Sequence, residues 1–173
     1  MYNLANLLKA LAKRTEARAL YERALRGREK ALGPEHPDTV NTVKNLAALL
    51  EDLGEIAEAR VLYERAMLGY EKALGPEHPS TLQSTHILAI FLLGQGERIQ
   101  ARALCERALR GREKVLGINH SSTCDSAFIL AFLLKGDGDL LAARAMFQRA
   151  LSGFEKCYGA GHPKTLGCRA KGA

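Results

Sequence analysis

Apolar residues along the chain recur three and four positions apart, in blocks separated by short polar breaks that contain glycine. The stretch from Pro37 to Leu74 shows this most clearly. Val43, Leu46, Ala47, Leu50 and Leu53 fall on one helical face. Gly54 interrupts the run, and a second one begins at Glu55, with Ala59, Leu62, Tyr63, Ala66 and Tyr70 on one side. The spacing predicts a second helix ending at Leu74, about 30 Å long at 1.5 Å per residue. Pro37 suits the first helical position, where its missing N–H costs nothing, and Asp38 complements the helix dipole. His36 precedes a proline, is biased out of helical geometry and closes the linker. Gly75 stands where a left-handed cap is expected, with Pro76 just beyond it. No stretch alternates as a half-buried strand does, so the pattern predicts an all-α chain.

The same block returns at a fixed interval. LGPEHP stands at 32–37 and again at 74–79, with LGINHS at 116–121 and YGAGHP at 158–163, each 42 residues after the last. His36, His78, His120 and His162 keep this register, as do Thr39, Thr81, Thr123 and Thr165. YERALRGREK at 21–30 returns as YERAMLGYEK, CERALRGREK and FQRALSGFEK. The chain therefore divides into tandem units 1–36, 37–78, 79–120 and 121–163, the first read as truncated, followed by a basic tail at 164–173 that forms the stub of a fifth. Gly167 and Gly172 make that stub a poor helix on propensity alone. One helix pair cannot bury its own apolar face, whereas stacked copies can.

Helix–turn–helix units with small residues at Ala47, Ala59 and Ala66, a glycine turn at Gly54 and an aromatic at Tyr63 resemble tetratricopeptide repeats. The 42-residue period, with NLAALL, LYERAL and EKALGPEHP, resembles the kinesin light chain type of array. The resemblance covers residues 1–165. It implies a right-handed α-solenoid of stacked antiparallel helix pairs. It also implies a concave side, lined by the first helix of each pair, on which a peptide or a partner's helix lies. A protein-interaction scaffold of this kind, cargo-adaptor-like, is the function expected. A structural spacer, a self-associating fragment or a regulatory array of a longer protein is the alternative.

Charge changes this picture little. The net charge is +6, yet residues 1–30 carry +5 and residues 164–173 carry +3, leaving the middle slightly acidic. Nucleic-acid binding calls for a continuous basic stripe, so no nucleic-acid partner is expected. No apolar run is long enough to span a bilayer and the start lacks the order of a signal peptide, so the expectation is a cytoplasmic protein without a membrane partner. Both ends lack polar capping, which points to self-association through them.

Candidate chemistry is sparse. The four register histidines sit on successive linkers, too far apart to share a metal, and read as helix caps. Of Cys105, Cys124, Cys157 and Cys168, the first three take the apolar slots of Tyr63, Val40 and Ala73 and read as small hydrophobes. Cys124 and Cys157 face across one helix pair, but a reducing compartment keeps thiols free. Gly94–Gln95–Gly96 and Gly136–Asp137–Gly138 are turns rather than a dinucleotide loop. Arg18, Arg60 and Arg102 stand one turn before Glu22, Glu64 and Glu106, as exposed ion pairs do. No catalytic constellation, metal site or cofactor is expected. Gly27, Gly69, Gly111 and Gly153 repeat inside a helix at a cost of about 1 kcal/mol each relative to alanine, which suggests a close helix approach or a loosening of the long second helix, with a hinge as the functional alternative.

The expected binding groove follows from the helical wheel. Opposite the Leu46/Leu50 face lie Asn41, Asn45 and Asp52, with Asn3 and Asn6 in the first unit, Gln83, Ile87 and Ile90 in the third, and Asp125, Ile129 and Phe132 in the fourth. Lys44, His86 and Phe128 flank them, with Lys9 at the edge. The first two units offer amides and lysines for an acidic ligand end. The last two offer aliphatic and aromatic side chains of the kind that forms hot spots.

Overall fold

The computed structural model describes residues 14–172. These form eight helices: α1 (Arg14–Leu32), α2 (Pro37–Asp52), α3 (Ile56–Leu74), α4 (Pro79–Gly94), α5 (Arg98–Leu116), α6 (Ser121–Gly136), α7 (Leu140–Tyr158) and α8 (Pro163–Gly172). No strand occurs among the described residues. The packing separates two compact units, divided between Ser84 and Thr85 inside α4.

The turn inside each helix pair is built the same way. After α2 the N–H of Glu55 bonds Leu50 O at 2.9 Å and that of Gly54 bonds Glu51 O at 3.0 Å, with Gly54 at φ +79°. This Schellman arrangement satisfies two end carbonyls, and its positive φ is what requires glycine. The linkers between pairs differ from the left-handed cap expected. Gly75 has φ +88° but ψ 162°, an extended mirror-image conformation open essentially to glycine alone. That geometry aims its carbonyl at the next helix, where the Thr81 hydroxyl donates to it at 2.8 Å. Thr123 to Gly117 and Thr165 to Gly159 repeat the bond at 2.9 Å, whereas the buried Thr39 hydroxyl has no partner among the described residues, so the bond accounts for three of the four register threonines.

The four linker histidines are caps, as expected. Nδ1 of His36, His78, His120 and His162 accepts the backbone N–H two residues on, at 3.1–3.2 Å. Each thus satisfies one of the amides that a helix start leaves open.

In the first unit, Val40 and Val43 of α2 pack on Ala66 and Tyr70 of α3, with Leu25, Leu62 and Leu74 around them. In the second, Cys124, Leu130 and Leu134 of α6 share a core with Ala143, Phe147, Ala150 and Phe154 of α7. The repeated glycine permits these approaches. A Cβ at Gly69 would lie 2.8 Å from Val40 Cγ2, and one at Gly153 would lie 2.1 Å from Cys124 Sγ.

Two expectations need correction. Residues 163–172 form a helix despite their glycines. Thr165 and Cys168 are buried, Lys164 pairs with Asp125 and Arg169 with Glu155, so tertiary contacts override propensity. Cys157 is exposed, with its thiol donating to Asn119 O at 2.9 Å, while Cys105, Cys124 and Cys168 are buried; all four are free thiols.

Candidate functional site

Asn3, Asn6 and Lys9 lie outside the described residues. The other candidates separate into three groups.

In the first unit, Asn41, Lys44 and Asn45 lie half-buried along one face of α2, and Gln83 is exposed on α4. Lys44 takes no hydrogen bond or ion pair from any described residue. Burial alone holds its amine below the ordinary lysine pKa, because removing water from the cation disfavours it. Close by, Tyr63 donates its hydroxyl to Glu51 at 2.7 Å, and burial with that carboxylate pushes the phenol far above its usual value.

In the second unit, Ile87 is half-buried and Ile90 is 41% exposed on α4, while Ile129 is half-buried on α6. Asp125 is half-buried and bonded by Lys164 of α8 at 2.7 and 2.9 Å. The same ammonium stands 5.7 Å from the ring centroids of Phe154 and Tyr158.

His86 is a correction: it flanks the expected face on the wheel, yet it turns inward. Phe132 lies on that face and Phe128 flanks it, and both are half-buried. His86 is only 5% exposed. Its Nδ1 is 3.3 Å from Ser126 Oγ, which itself accepts from Arg112 Nη1 at 2.8 Å. Ser126 Oγ and His86 Nδ1 share one hydrogen bond, whose donor is set by the imidazole tautomer. Burial first, then the Arg112 and Lys164 cations, push its pKa down to about 3. Phe128 and Phe132 meet edge-to-face at 4.9 Å, and Phe147 of α7 lies 5.7 and 5.3 Å from them. These rings join the α6–α7 core through aromatic packing.

The wheel overlooked Arg112. It is 1% exposed, and Nη1 also donates to Ser122 O at 2.7 Å. Burial lowers its pKa to about 10, and Cys105 beside it is pushed up to about 12 by the same desolvation. Arg28 makes the same pair of bonds 84 residues earlier, to Asp38 O at 2.9 Å and Thr42 Oγ1 at 2.7 Å. An arginine and a hydroxyl residue repeating together was the signal available. The arrangement ties α1 to the start of α2 and α5 to the start of α6, while Tyr70 and Phe154 take the same position in the other two repeats.

Ion pairs of two registers cross the outer helices. Arg18, Arg60 and Arg102 bond Glu22, Glu64 and Glu106 one turn on at 2.9, 3.0 and 3.0 Å, as expected. Arg65 to Glu29 and Arg149 to Glu113 link one repeat to the next.

A family model described as tetratricopeptide repeat matches residues 1–67, 40–114 and 83–156. Among solved structures, a putative kinesin light chain of Podosopora anserina with nearly identical TPR-like repeats is 27% identical with a TM-score of 0.81, over 97% of this chain and 80% of that one. BtubC (BKLC) from P. vanneervenii is 19% identical with a TM-score of 0.77, over 98% and 75%. YrrB, described as a TPR protein with an unusual peptide-binding site, is 18% identical with a TM-score of 0.58, over 98% and 81%. The last two likenesses concern the fold alone. No curated protein sequence matches the chain significantly. No helix among the described residues is long and apolar enough to cross a membrane.

Proposed function

The chain belongs to the tetratricopeptide repeat family, and from that premise we propose that it is a protein-interaction module that holds a partner's peptide or helix along the face of its first helices. Lys44 carries the reading. A half-desolvated ammonium flanked in sequence by two asparagines, with no ion pair to any described residue, is stabilised when a partner supplies a carboxylate. Asn41 and Asn45, one turn apart, add amide groups that can bond a backbone. In the second unit the corresponding face offers Ile87, Ile90 and Ile129, so the partner segment there is apolar. Likeness to kinesin light chain-type repeats favours a cargo-adaptor-like role, and we read the chain as a binding module, not an enzyme. The free thiols fit a reducing, cytoplasmic compartment.

The test is a random peptide library panned against the chain and against Lys44→Glu. Enrichment of sequences with a carboxylate next to apolar residues, lost on the variant, supports the reading. Equal recovery on both proteins sinks it.

One observation favours self-association as a second reading. Leu166 stands in the register of Val40, which is 2% exposed, yet is itself 49% exposed. Leu166→Lys shifting a concentration-dependent sedimentation coefficient to that of a monomer is the expected result. A parent chain that sediments as a monomer at every concentration excludes it.

A further inference from the structure

We propose that the second unit carries a site for a small amphiphilic anion, an apolar tail bearing a carboxylate. A cleft of about 390 Å³ opens between the end of α6, the start of α7 and the end of α8. This is the size of a small-molecule pocket. Its floor is apolar: Ala143 is 2% and Phe147 3% exposed, and Leu140 stands at the mouth, 64% exposed. Gly172 passes so near that a Cβ there would lie 2.8 Å from Phe147 Cβ, so the missing side chain keeps the cleft open.

Among the described residues the rim holds three cations and no acid: Lys135, Arg144 and Lys171. Lys135 Nζ reaches the Lys171 carbonyl at 3.4 Å and no other described residue. The side chains of Arg144 and Lys171 have no hydrogen-bond or ion-pair partner among the described residues. Acids adjoining in sequence are already engaged. Asp137 holds Arg98 and Arg102, and Asp139 Oδ1 accepts the Ala142 N–H at 3.1 Å.

The freedom of Arg144 comes from a departure within the repeat. Arg18, Arg60, Arg102 and Arg144 follow one another at 42 residues. The first three have a glutamate one turn on, bonded at 2.9–3.0 Å. The fourth has Gln148. One uncharged residue thus leaves a guanidinium, a fork suited to carboxylate oxygens, beside an apolar floor. An anionic head would lie among the three cations while its tail covers Phe147 and Ala143.

Octanoate is the probe, with octanol and acetate as the tail-only and head-only controls. The expected result with the full chain is saturable amide shifts at Ala143, Phe147 and Lys171, with both controls binding at least roughly tenfold more weakly. Arg144→Gln should weaken octanoate binding roughly tenfold, the loss of one charge-assisted bond. Gln148→Glu should do likewise while leaving every cleft residue in place, by giving Arg144 the carboxylate its three counterparts have. Should Arg144→Gln melt early, Gln148→Glu decides. Octanol binding as well as octanoate, no saturable shift in the cleft, or parental affinity in Gln148→Glu would overturn the proposal.

Discussion

Alanine substituted at the four-times-repeated helix glycine should change sign from one repeat to another. In an open helix interior, glycine to alanine gains about 1 kcal/mol, since the unfolded chain loses freedom. At Gly27 a Cβ meets nothing within 4 Å, so Gly27→Ala should stabilise the first unit by about 0.5–1 kcal/mol. At Gly153 the same Cβ would lie 2.1 Å from Cys124 Sγ. Non-bonded heavy atoms are at rest at about 3.5–4 Å, so the two must move apart by more than about 1 Å. Cys124 is 2% exposed on α6, and overpacking of that kind costs about 1–3 kcal/mol. The net expectation for Gly153→Ala is a loss of up to about 2 kcal/mol after the propensity gain. Urea titrations followed by circular dichroism would measure both. Cys124→Ala in the Gly153→Ala background should recover most of the loss, because the two residues share one contact. Stabilisation by both single substitutions, or no coupling between Cys124 and Gly153, would refute a glycine kept for helix approach.

Acid should act through His86. Its folded pKa of about 3 lies below the ordinary 6.5, so the unfolded state takes the proton first. Stability is full above pH 6.5 and falls towards pH 3, by about 2 kcal/mol at pH 5 from this one group. His86→Asn should remove that part of the acid sensitivity, measured as the difference in urea midpoint between pH 7 and pH 5; an unchanged difference counts against a buried neutral imidazole. His78→Ala should cost about 1 kcal/mol through the lost cap, and His78→Asn should restore most of it in the same titrations. Arg112→Met should cost less than Arg112→Ala in thermal melts, because both remove the buried charge but only methionine fills the space of a 1%-exposed side chain.

The helix pairs were legible because every one of their signals is local. Apolar spacing, Pro37 at the helix start and Gly54 in the turn each act within a few residues and return with the period. The linker histidines were legible as caps for the same reason, and the close approach at Gly69 and Gly153 because glycine inside a helix needs a cause. The binding face was less so. A wheel orders residues around one axis but does not say where the partner helix sits: His86 and Phe128 on the flank meet neighbours, and so does Phe132 on the face itself. Helix α8 was missed on propensity, since Thr165, Lys164 and Arg169 stabilise it through contacts with other elements. Gly75 was placed as a left-handed cap, but its ψ of 162° instead turns its carbonyl to the hydroxyl of the threonine six residues on.

A repeat also makes its exceptions readable. Residues that return at every copy, such as the cap histidine, the linker glycine and the Ala47 and Ala59 positions, do structural work that each copy needs. Function then concentrates where a copy departs. The slot of Lys44 becomes His86 and Phe128 in the next two units. In the second unit those two residues are spent on the interior, one against Ser126 and one among aromatic rings. In the first unit the lysine has no such partner, and burial works against its charge. Gln148 is the same kind of departure in reverse, since the change falls on the partner and leaves Arg144 unpaired. Both are cationic groups with no ion pair to a described residue, one in each unit. A carboxylate at either site gains its full charge-assisted bond without first displacing an internal one. That physical asymmetry, rather than exposure, separates these two residues from the many arginines of the outer ladder, whose glutamates a ligand would have to displace.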